Sequence, residues 1–177
     1  MFSIRAATKL DRDDIREVHL LAFSEVEGQV VAKLASNLLD EETTPETLAL
    51  VAELDGIVVA HIAFSPVTFD DNEKLKGYIL APLGVMPEYQ KCSVGSDLIK
   101  SSIEKLSEQG VNVLFVYGNP KYYGKFGFKA ETATNYLPPY ELQYPFGWLA
   151  IALNDDVYAE KTIKISCVPS LQDSALW

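Results

Sequence analysis

A strand–helix–strand pattern in the middle of this 177-residue chain constrains the fold more than any other feature. Residues 77–85 form an apolar run, residues 93–109 have the apolar spacing of a helix that stops at Gly110, and residues 111–117 form a second apolar run. Two strands joined by a helix through short connections form a right-handed parallel crossover. The chain therefore predicts a sheet that contains a parallel pair of strands.

The other patterns place further elements around this pair. Residues 48–54 and 57–64 are β-rich runs joined by Asp55-Gly56, which predicts a hairpin with a type I′ turn. Strands are also predicted at 2–5, 146–153 and 162–168, and a polar loop at 66–76. Two helices precede the hairpin. Their predicted apolar faces consist of Ile15, Val18, His19 and Ala22, and of Val30, Val31, Leu34 and Leu38.

The charge of the chain is negative and unevenly spread. There are 15 basic and 25 acidic residues, and the net charge of −10 disfavours binding to the phosphate backbone of nucleic acids. Residues 10–60 carry 3 basic and 12 acidic side chains, whereas residues 85–130 carry 6 basic and 4 acidic ones. This positive island indicates either a local anionic ligand or ordinary variation in helix-surface charge.

Cysteine usage and hydropathy exclude several classes of protein. Cys92 and Cys167 lie far apart, with no CxxC and no histidine at ligand spacing, so neither a zinc module nor a disulfide framework is predicted. No apolar run approaches membrane-spanning length and residues 1–10 lack a signal-peptide core, so we expect no metal, no membrane association and a cytoplasmic address. Residues 1–177 are expected to form a single domain, because no linker or repeat divides them.

The segment between the strand at 77–85 and the next helix has the features of an anion site. The N–H groups in the first turn of a helix lack intrahelical partners and, together with the helix dipole, bind phosphate. Ser93 and Gly95 are small enough for an anion to approach this main chain, and Lys91 adds a positive charge. The same residues also fit a plain strand–helix connection. Pro82 and Gly84 predict an irregular middle for the strand.

Three motifs in order resemble the GCN5-related N-acetyltransferase (GNAT) family. Gln90-Lys-Cys-Ser-Val-Gly95 is similar to the family's Gln-x-x-Gly-x-Gly loop, with Ser93 in place of the first glycine. Tyr123-Gly-Lys-Phe-Gly127-Phe128 is similar to its Tyr-x-x-x-Gly-Phe segment. The amino-acid sequence of residues 61–66, 80–83 and 118–128 resembles that of a bacterial branch of predicted acetyltransferases. The resemblance covers most of residues 3–130.

The resemblance implies an α+β fold in α/β/α layers, with a mixed, twisted sheet of six or seven strands, helices on both faces and splayed central strands. It implies acetyl-coenzyme A as co-substrate, its pantetheine arm beside the strand and its pyrophosphate on the main chain of residues 91–96. Ser93 is tolerated if its backbone is helical and weakens cofactor binding if the position needs a positive φ. The implied cofactor-binding residues are Leu83, Gly84, Val85, Gln90, Lys91, Cys92, Ser93, Val94, Gly95, Ser96, Asn119 and Tyr122.

The family's reaction is direct attack of an amine on the thioester, which requires an acid for the leaving thiolate and a base for the amine. Tyr123 matches the general-acid tyrosine of the family, and the alternatives are Tyr122 or simple aromatic packing. Asn119 either holds the end of the pantetheine or caps a short helix. Because direct transfer needs no acyl-enzyme, Cys92 is expected to be a small buried residue. The base is left open between His61, a sheet histidine without function, Glu25, Glu27 and a water chain to a backbone carbonyl.

The sequence as a whole predicts an acetyl-coenzyme A-dependent N-acetyltransferase that acts on a primary amine of a small molecule or peptide. A non-catalytic coenzyme A-binding or sensor module of the same fold is the alternative. A P-loop nucleotide-binding protein is excluded because no Gly-Lys-Ser/Thr follows the loop. The acidic first third suits a cationic acceptor. The edge strands of the family offer a surface for a homodimer.

Overall fold

The computed structural model describes residues 1–155 and 161–177. In this part of the chain, the strands are β1 (Ser3–Ala6), β2 (Leu48–Leu54), β3 (Ile57–Phe69), β4 (Gly77–Val85), β5 (Val113–Tyr117), β6 (Tyr136–Leu137), β7 (Trp148–Ala152) and β8 (Ile163–Ser166). The helices are α1 (Arg12–Ala22), α2 (Glu25–Asp40), α3 (Val94–Glu108), α4 (Pro120–Tyr123) and α5 (Ala130–Ala133). Short 3-10 turns connect several of these elements.

The described strands form a mixed sheet of eight strands, in the order β1-β2-β3-β4-β5-β7, with β6 paired to β8 and β8 to β3. β1, β2 and β3 are antiparallel neighbours. β4 and β5 are parallel, with a register that runs from Gly77–Val113 to Leu80–Val116, while β4 itself extends to Val85. The strand–helix–strand crossover and the α+β class predicted from the sequence are therefore confirmed.

Turn chemistry sets the register of the predicted hairpin. Asp55 and Gly56 both have a positive φ, 52° and 79°, as a type I′ turn requires. The two residues lie between β2 and β3, whose register runs from Leu54–Ile57 to Leu48–Phe64. Asp-Gly in this position favours the tight turn because aspartate and glycine tolerate the left-handed conformation best.

Two details of the strand prediction were wrong. The sheet has eight described strands instead of six or seven, because the two residues of β6 are too few to give a periodic pattern. Residues 66–69, predicted as loop, continue β3 because Thr68 and Phe69 pair with Ser166 and Ile165 of β8. Pairing with a distant segment supplies the backbone hydrogen bonds that a polar local sequence does not reveal.

The chain divides into two compact units. The first unit comprises Met1–Phe64 and Ala81–Ile103, and the second comprises Ser65–Leu80 and Glu104–Trp177. In the first unit, a buried core joins α1 and α2 to β2 and β3. This core consists of Ile15, Val18, Ala35, Val51 and Val58. The apolar face predicted for α1 is confirmed at Ile15, Val18 and His19, all of which are buried.

Small residues set the distance between α1 and α2. A Cβ on Gly28 would lie 3.3 Å from the His19 carbonyl oxygen and 3.3 Å from the Leu20 Cα, so a larger residue there would require the two helices to shift apart by a few tenths of an ångström. Ala32 and Ala35 are also buried on α2. Val30 is 44% exposed, and the predicted apolar face of α2 was therefore wrong at this residue.

The second unit has an aromatic core. The Phe115 ring on β5 stacks on Trp148 of β7 at 5.2 Å between centroids and meets Tyr136 of β6 edge-on at 5.1 Å. Trp148 Nε1 donates a hydrogen bond of 2.8 Å to the Tyr136 carbonyl oxygen. Burial of these large rings stabilises the unit through apolar area and ring geometry together.

Candidate active site

The end of β4 lies against the imidazole of His19 from α1. Gly84 is buried, and a Cβ built on it would lie 2.5 Å from His19 Nδ1 and 2.7 Å from His19 Cε1. Any larger residue at this position would collide with the ring. Leu83 and Val85, on either side of Gly84, are half-buried. The strand segment expected to bind pantetheine therefore carries a histidine on one face.

His19 forms a buried hydrogen-bonded pair with His61 of β3. His19 Nε2 lies 2.8 Å from His61 Nδ1, and the two side chains are 0% and 1% exposed. Burial lowers the pKa of His19 to about 4 and holds the pKa of His61 well below its ordinary value, so both rings are neutral at pH 7. His19 Nδ1 is buried and has no hydrogen-bond partner.

The sequence did not single out this pair. His61 was considered as a base or as a sheet histidine without function, and it is a sheet histidine bonded to a second imidazole. His19 was assigned to the apolar face of α1 and given no chemical role. Its position on that face was the only signal, because the two histidines are 42 residues apart and no local motif joins them.

The loop from Gln90 to Val94 has an alternating backbone. Lys91 and Ser93 have left-handed φ values of 67° and 65°, whereas Gln90 has a φ of −64° and Val94 begins α3. Alternation of this kind turns successive N–H groups toward one side and forms anion-binding concavities. Of the two alternatives stated for Ser93, the one with a positive φ is therefore correct.

The side chains of the loop play smaller parts. Gln90 Nε2 donates a hydrogen bond of 3.1 Å to the Val85 carbonyl oxygen, which ties the loop to the end of β4. Lys91, Cys92 and Ser93 are exposed. The expectation that Cys92 is buried was wrong, because this short loop lies on the surface and offers the side chain no core to enter.

The tyrosine motif forms a short turn in the second unit. Asn119 caps α4, since its side-chain oxygen accepts a hydrogen bond of 2.9 Å from the Lys121 N–H. Tyr122 and Tyr123 are half-buried, and their rings meet edge-on at 5.0 Å between centroids. The turn ends at Gly127, which has a left-handed φ of 100°.

Gly118 fixes the position of the Tyr123 ring. A Cβ on Gly118 would lie 2.5 Å from Tyr123 Cε2 and 3.0 Å from Cδ2. On another side, Tyr123 meets the ring of the buried Phe128 edge-on at 6.0 Å. Burial raises the pKa of the Tyr123 phenol above its ordinary value, so the phenol holds its proton at neutral pH. The Tyr-x-x-x-Gly-Phe motif points to Tyr123 in the sequence, whereas no sequence signal points to Gly118.

The structure divides the candidate residues between the two units. The first unit holds the end of β4, the Gln90–Ser96 segment and the histidine pair, whereas the second unit holds Asn119, Tyr122 and Tyr123. Glu25 and Glu27, the other candidate bases, are exposed in the first turn of α2.

Sequence comparison places the chain in a family. A model of the acetyltransferase (GNAT) domain matches residues 3–130. The chain is 39% identical over 129 residues to the uncharacterized N-acetyltransferase YjhQ of Escherichia coli K12, a match that covers 72% of this chain and 70% of that protein. The chain therefore belongs to the GNAT acetyltransferase family, and the resemblance seen in three motifs is confirmed.

Solved structures show the same fold. The GNAT family N-acetyltransferase YhbS from Escherichia coli, determined in complex with CoA, matches with a TM-score of 0.83 and 26% identity, covering 96% of this chain and 91% of that chain. A GNAT family acetyltransferase from Brucella melitensis, in complex with acetyl-CoA, matches with a TM-score of 0.70 and 28% identity, covering 96% and 97%.

The described residues contain neither a metal-binding group nor a membrane-spanning helix. Within residues 1–155 and 161–177, no group of three or more His, Cys, Asp or Glu side chains is placed to hold a metal ion. In the same ranges, no helix is long and apolar enough to span a bilayer.

Proposed function

We propose that this chain transfers an acetyl group from acetyl-CoA to a primary amine of a small molecule or peptide, within a single domain of residues 1–177. Family membership supports acetyl transfer, and the two similar structures described above contain CoA and acetyl-CoA. The observation that carries the proposal is the alternating backbone of the Gln90–Val94 loop at the start of α3.

This loop fits a diphosphate. The left-handed residues Lys91 and Ser93 give it a concave main chain, and the first-turn N–H groups of α3 lack intrahelical partners. The positive end of the α3 dipole and the exposed Lys91 favour negative charge at the same place. Val94, Gly95 and Ser96 contribute through their main chain, and the Val94 side chain is buried in the core. The Cys92 N–H already donates a hydrogen bond of 3.4 Å to the Tyr89 carbonyl oxygen.

The end of β4 suits the pantetheine arm. An amide-bearing chain pairs with exposed strand atoms much as an added strand does. Leu83 and Val85 are half-buried beside Gly84, and Gln90 Nε2 donates a hydrogen bond to the Val85 carbonyl oxygen. In this proposal Gln90 contributes to donor binding indirectly, because its hydrogen bond to Val85 holds the loop against the end of β4.

Tyr123 is the proton donor in this proposal. Acetyl-CoA supplies the acetyl group as a thioester, and the departing sulfur requires a proton. The raised pKa of the Tyr123 phenol keeps that proton available, and Gly118 and Phe128 hold the ring in one place. Tyr122 and Asn119 support the turn, through edge-on ring contact and through capping.

A first experiment tests donor binding. With acetyl-CoA at about 100 times its Kd, linkage predicts a stabilisation of about 2.7 kcal/mol, or a rise in Tm of roughly 5 to 10 °C for a chain of this size. Thermal unfolding with and without acetyl-CoA measures the shift. An unchanged Tm at millimolar acetyl-CoA would contradict the proposal at its first step.

A second experiment tests transfer. Thiol release is followed over a panel of primary amines, with the product's mass locating the acetyl group. Tyr123→Phe is expected to lower kcat at least tenfold while leaving the Tm shift with acetyl-CoA intact, because only the phenolic proton is lost. Tyr144→Phe, the same change at an exposed tyrosine in the second unit, is the control. A normal Tm shift with no transfer to any amine would favour a coenzyme A-binding module instead.

A further inference from the structure

The function proposed above leaves the His19–His61 pair without a role. His19 Nδ1 is buried with no hydrogen-bond partner, an arrangement that is unfavourable and rare in folded proteins. The nitrogen points at Gly84, in the strand segment proposed for the donor's thioester arm. A costly polar atom directed at a proposed ligand site indicates a chemical function more than a packing function.

The geometry of the pair favours one tautomer of His19. One proton lies between His19 Nε2 and His61 Nδ1, which are 2.8 Å apart. If His61 donated that proton, neutral His19 would carry its own proton on Nδ1, as a buried N–H without an acceptor. If His19 donates it, Nδ1 keeps a lone pair facing the Gly84 Cα, whose C–H groups are weak donors. Because orphaned buried N–H groups are the rarer case, this geometry favours the tautomer of His19 that is protonated on Nε2.

We infer that His19 Nδ1 accepts the proton that the amine gives up during acetyl transfer, while His61 orients the ring. The inference rests on the proposed function and deepens it by naming the base. A base with a free lone pair, held by a second side chain through its other nitrogen, is the arrangement expected of a general base. His19 is then a catalytic residue and His61 a positioning residue.

The proposed transfer balances in protons and bonds. The amine nitrogen forms a bond to the acetyl carbon and loses one N–H bond, and its proton forms a new N–H bond on His19 Nδ1. The carbon–sulfur bond breaks, and the sulfur takes the proton of Tyr123. The imidazolium keeps its Nε2–H bond to His61 Nδ1. Exchange with water then returns His19 and Tyr123 to their starting states.

The buried environment suits this role. A base must be unprotonated before the reaction, and burial keeps His19 neutral at pH 7. The nitrogen's proton becomes more acidic once the nitrogen bonds to the carbonyl carbon, so an imidazole of reduced basicity is sufficient. The Phe23 ring, half-buried directly after α1, stacks on the His19 imidazole at 6.1 Å between ring centroids.

Isosteric variants separate the base from the fold. His19→Gln retains a polar group toward His61 but has no basic nitrogen, and kcat is expected to fall roughly 100-fold with the acetyl-CoA Tm shift unchanged. His61→Asn retains an acceptor near the Nδ1 position and is expected to keep kcat within about tenfold, whereas His61→Leu should behave like His19→Gln. A kcat within about twofold of wild type in His19→Gln would overturn the inference.

Chemical rescue provides a test that a structural role would not pass. His19→Ala opens space for an added ring, and imidazole is expected to restore at least a tenth of the wild-type kcat. The ring 1,2,4-triazole has nearly the same shape but is a much weaker base, so it is expected to fill the space without restoring the rate. Equal rescue by both rings would assign His19 to packing and overturn the inference.

A measurement without turnover tests the tautomer directly. His19 and His61 are the only two histidines in the chain, so nitrogen-15 spectra of histidine-labelled protein show four ring nitrogens. We expect His19 to be protonated on Nε2 and bare on Nδ1. A proton found on His19 Nδ1 at pH 7 would overturn the inference even if acetyl transfer is observed. Absence of transfer by the wild type would instead overturn the proposed function and the inference with it.

Discussion

Two glycines, one in each unit, face an aromatic or imidazole ring at the same distance. A Cβ on Gly84 would lie 2.5 Å from His19 Nδ1, and a Cβ on Gly118 would lie 2.5 Å from Tyr123 Cε2. Neither glycine has a left-handed φ. Both positions therefore require glycine for space, and each places one ring of the proposed proton-transfer reaction.

The two rings differ in what surrounds them. His19 is fully buried beside a second titratable ring, whereas Tyr123 is half-buried among the edges of Tyr122 and Phe128. Burial lowers the pKa of the imidazole and raises the pKa of the phenol, so both are neutral at pH 7. One physical cause, removal from water, therefore keeps the imidazole unprotonated and the phenol protonated, as their proposed roles of base and acid require.

Lowering the pH should destabilise the folded chain through His19 but not through Tyr123. The pKa of His19 is about 4 in the folded chain and about 6.5 in the unfolded chain, so its contribution to stability is complete above pH 6.5 and is lost as the pH falls toward 4. The loss amounts to roughly 3 kcal/mol. Denaturant unfolding between pH 7 and pH 4 measures this loss together with that of His61, whose pKa burial also lowers, and His19→Gln should make the profile less steep.

Below about pH 4, a second group, Asp11, contributes to the loss of stability. The hydrogen bond from Arg5 lowers the pKa of Asp11 to about 2, so its contribution is lost only below pH 4. Asp11 is also the charged residue whose field acts on His61. A profile for His19→Gln as steep as that of the wild type between pH 6.5 and 4 would contradict the assignment.

Enlarging Gly118 should impair transfer more than folding. Gly118→Ala forces the Tyr123 ring to move, and a displacement near 1 Å from the reacting position lowers kcat on the order of 100-fold. Gly124→Ala lies in the same turn and has open space around its Cβ, so it is the matched control. Steady-state kinetics with acetyl-CoA and one amine measure both. Equal kcat values for the two variants would show that transfer does not depend on the space that Gly118 leaves for the Tyr123 ring.

Enlarging Gly84 should be visible in stability. Gly84→Ala forces the His19 ring away from β4 and strains the bond to His61, which we expect to cost about 1–3 kcal/mol as overpacking. Unfolding in urea measures this difference. Because the ring moves within a buried pair, the nitrogen-15 signals of both histidines should shift as well. A variant with wild-type stability would show that the close approach at Gly84 is readily relieved.

The smallest expected effect concerns Ser93. Its left-handed φ costs roughly 1–2 kcal/mol relative to a helical backbone, and glycine offsets part of the relief through greater unfolded-chain entropy. We expect Ser93→Gly to stabilise the chain by about 0.5–1 kcal/mol and Ser101→Gly, in the middle of α3, to destabilise it by a similar amount. Urea unfolding of both variants decides whether the sign of the stability change depends on the backbone conformation at the substituted residue.

The left-handed φ of Ser93 also changes the expected effect of this residue on donor binding. The sequence suggested that a positive φ at Ser93 weakens cofactor binding. If the folded loop keeps the left-handed φ of Ser93 in the free and the bound state, the cost of that φ falls on folding and cancels from the binding equilibrium. We expect the acetyl-CoA Kd of Ser93→Gly to remain within about twofold of wild type by calorimetry. A larger tightening would show that the loop changes conformation on binding.

Local patterns predicted what depends on neighbours in the sequence. The hairpin at Asp55-Gly56, the strand–helix–strand crossover and the helix stop at Gly110 follow from turn chemistry and periodicity, and each is present. The family followed from the order of three motifs. These features require no knowledge of which distant residues come together.

Contacts between distant residues were the part that the sequence could not supply. The pairing of His19 with His61, the two-residue strand β6 and the role of Gly118 all depend on partners elsewhere in the chain. A histidine on an apolar helix face indicates burial, but the pattern does not reveal a second imidazole opposite it. Exposure of Cys92 was missed for the same reason, since local composition does not show where the surface lies.

The backbone conformation of the Gln90–Val94 loop bears on the association rate of a diphosphate ligand. Lys91 and Ser93 hold left-handed backbone angles, and a loop that keeps this shape on binding presents an arriving diphosphate with a fixed concave surface. The association rate should be governed by diffusion and by the local charge at Lys91, and it should fall as added salt screens that charge.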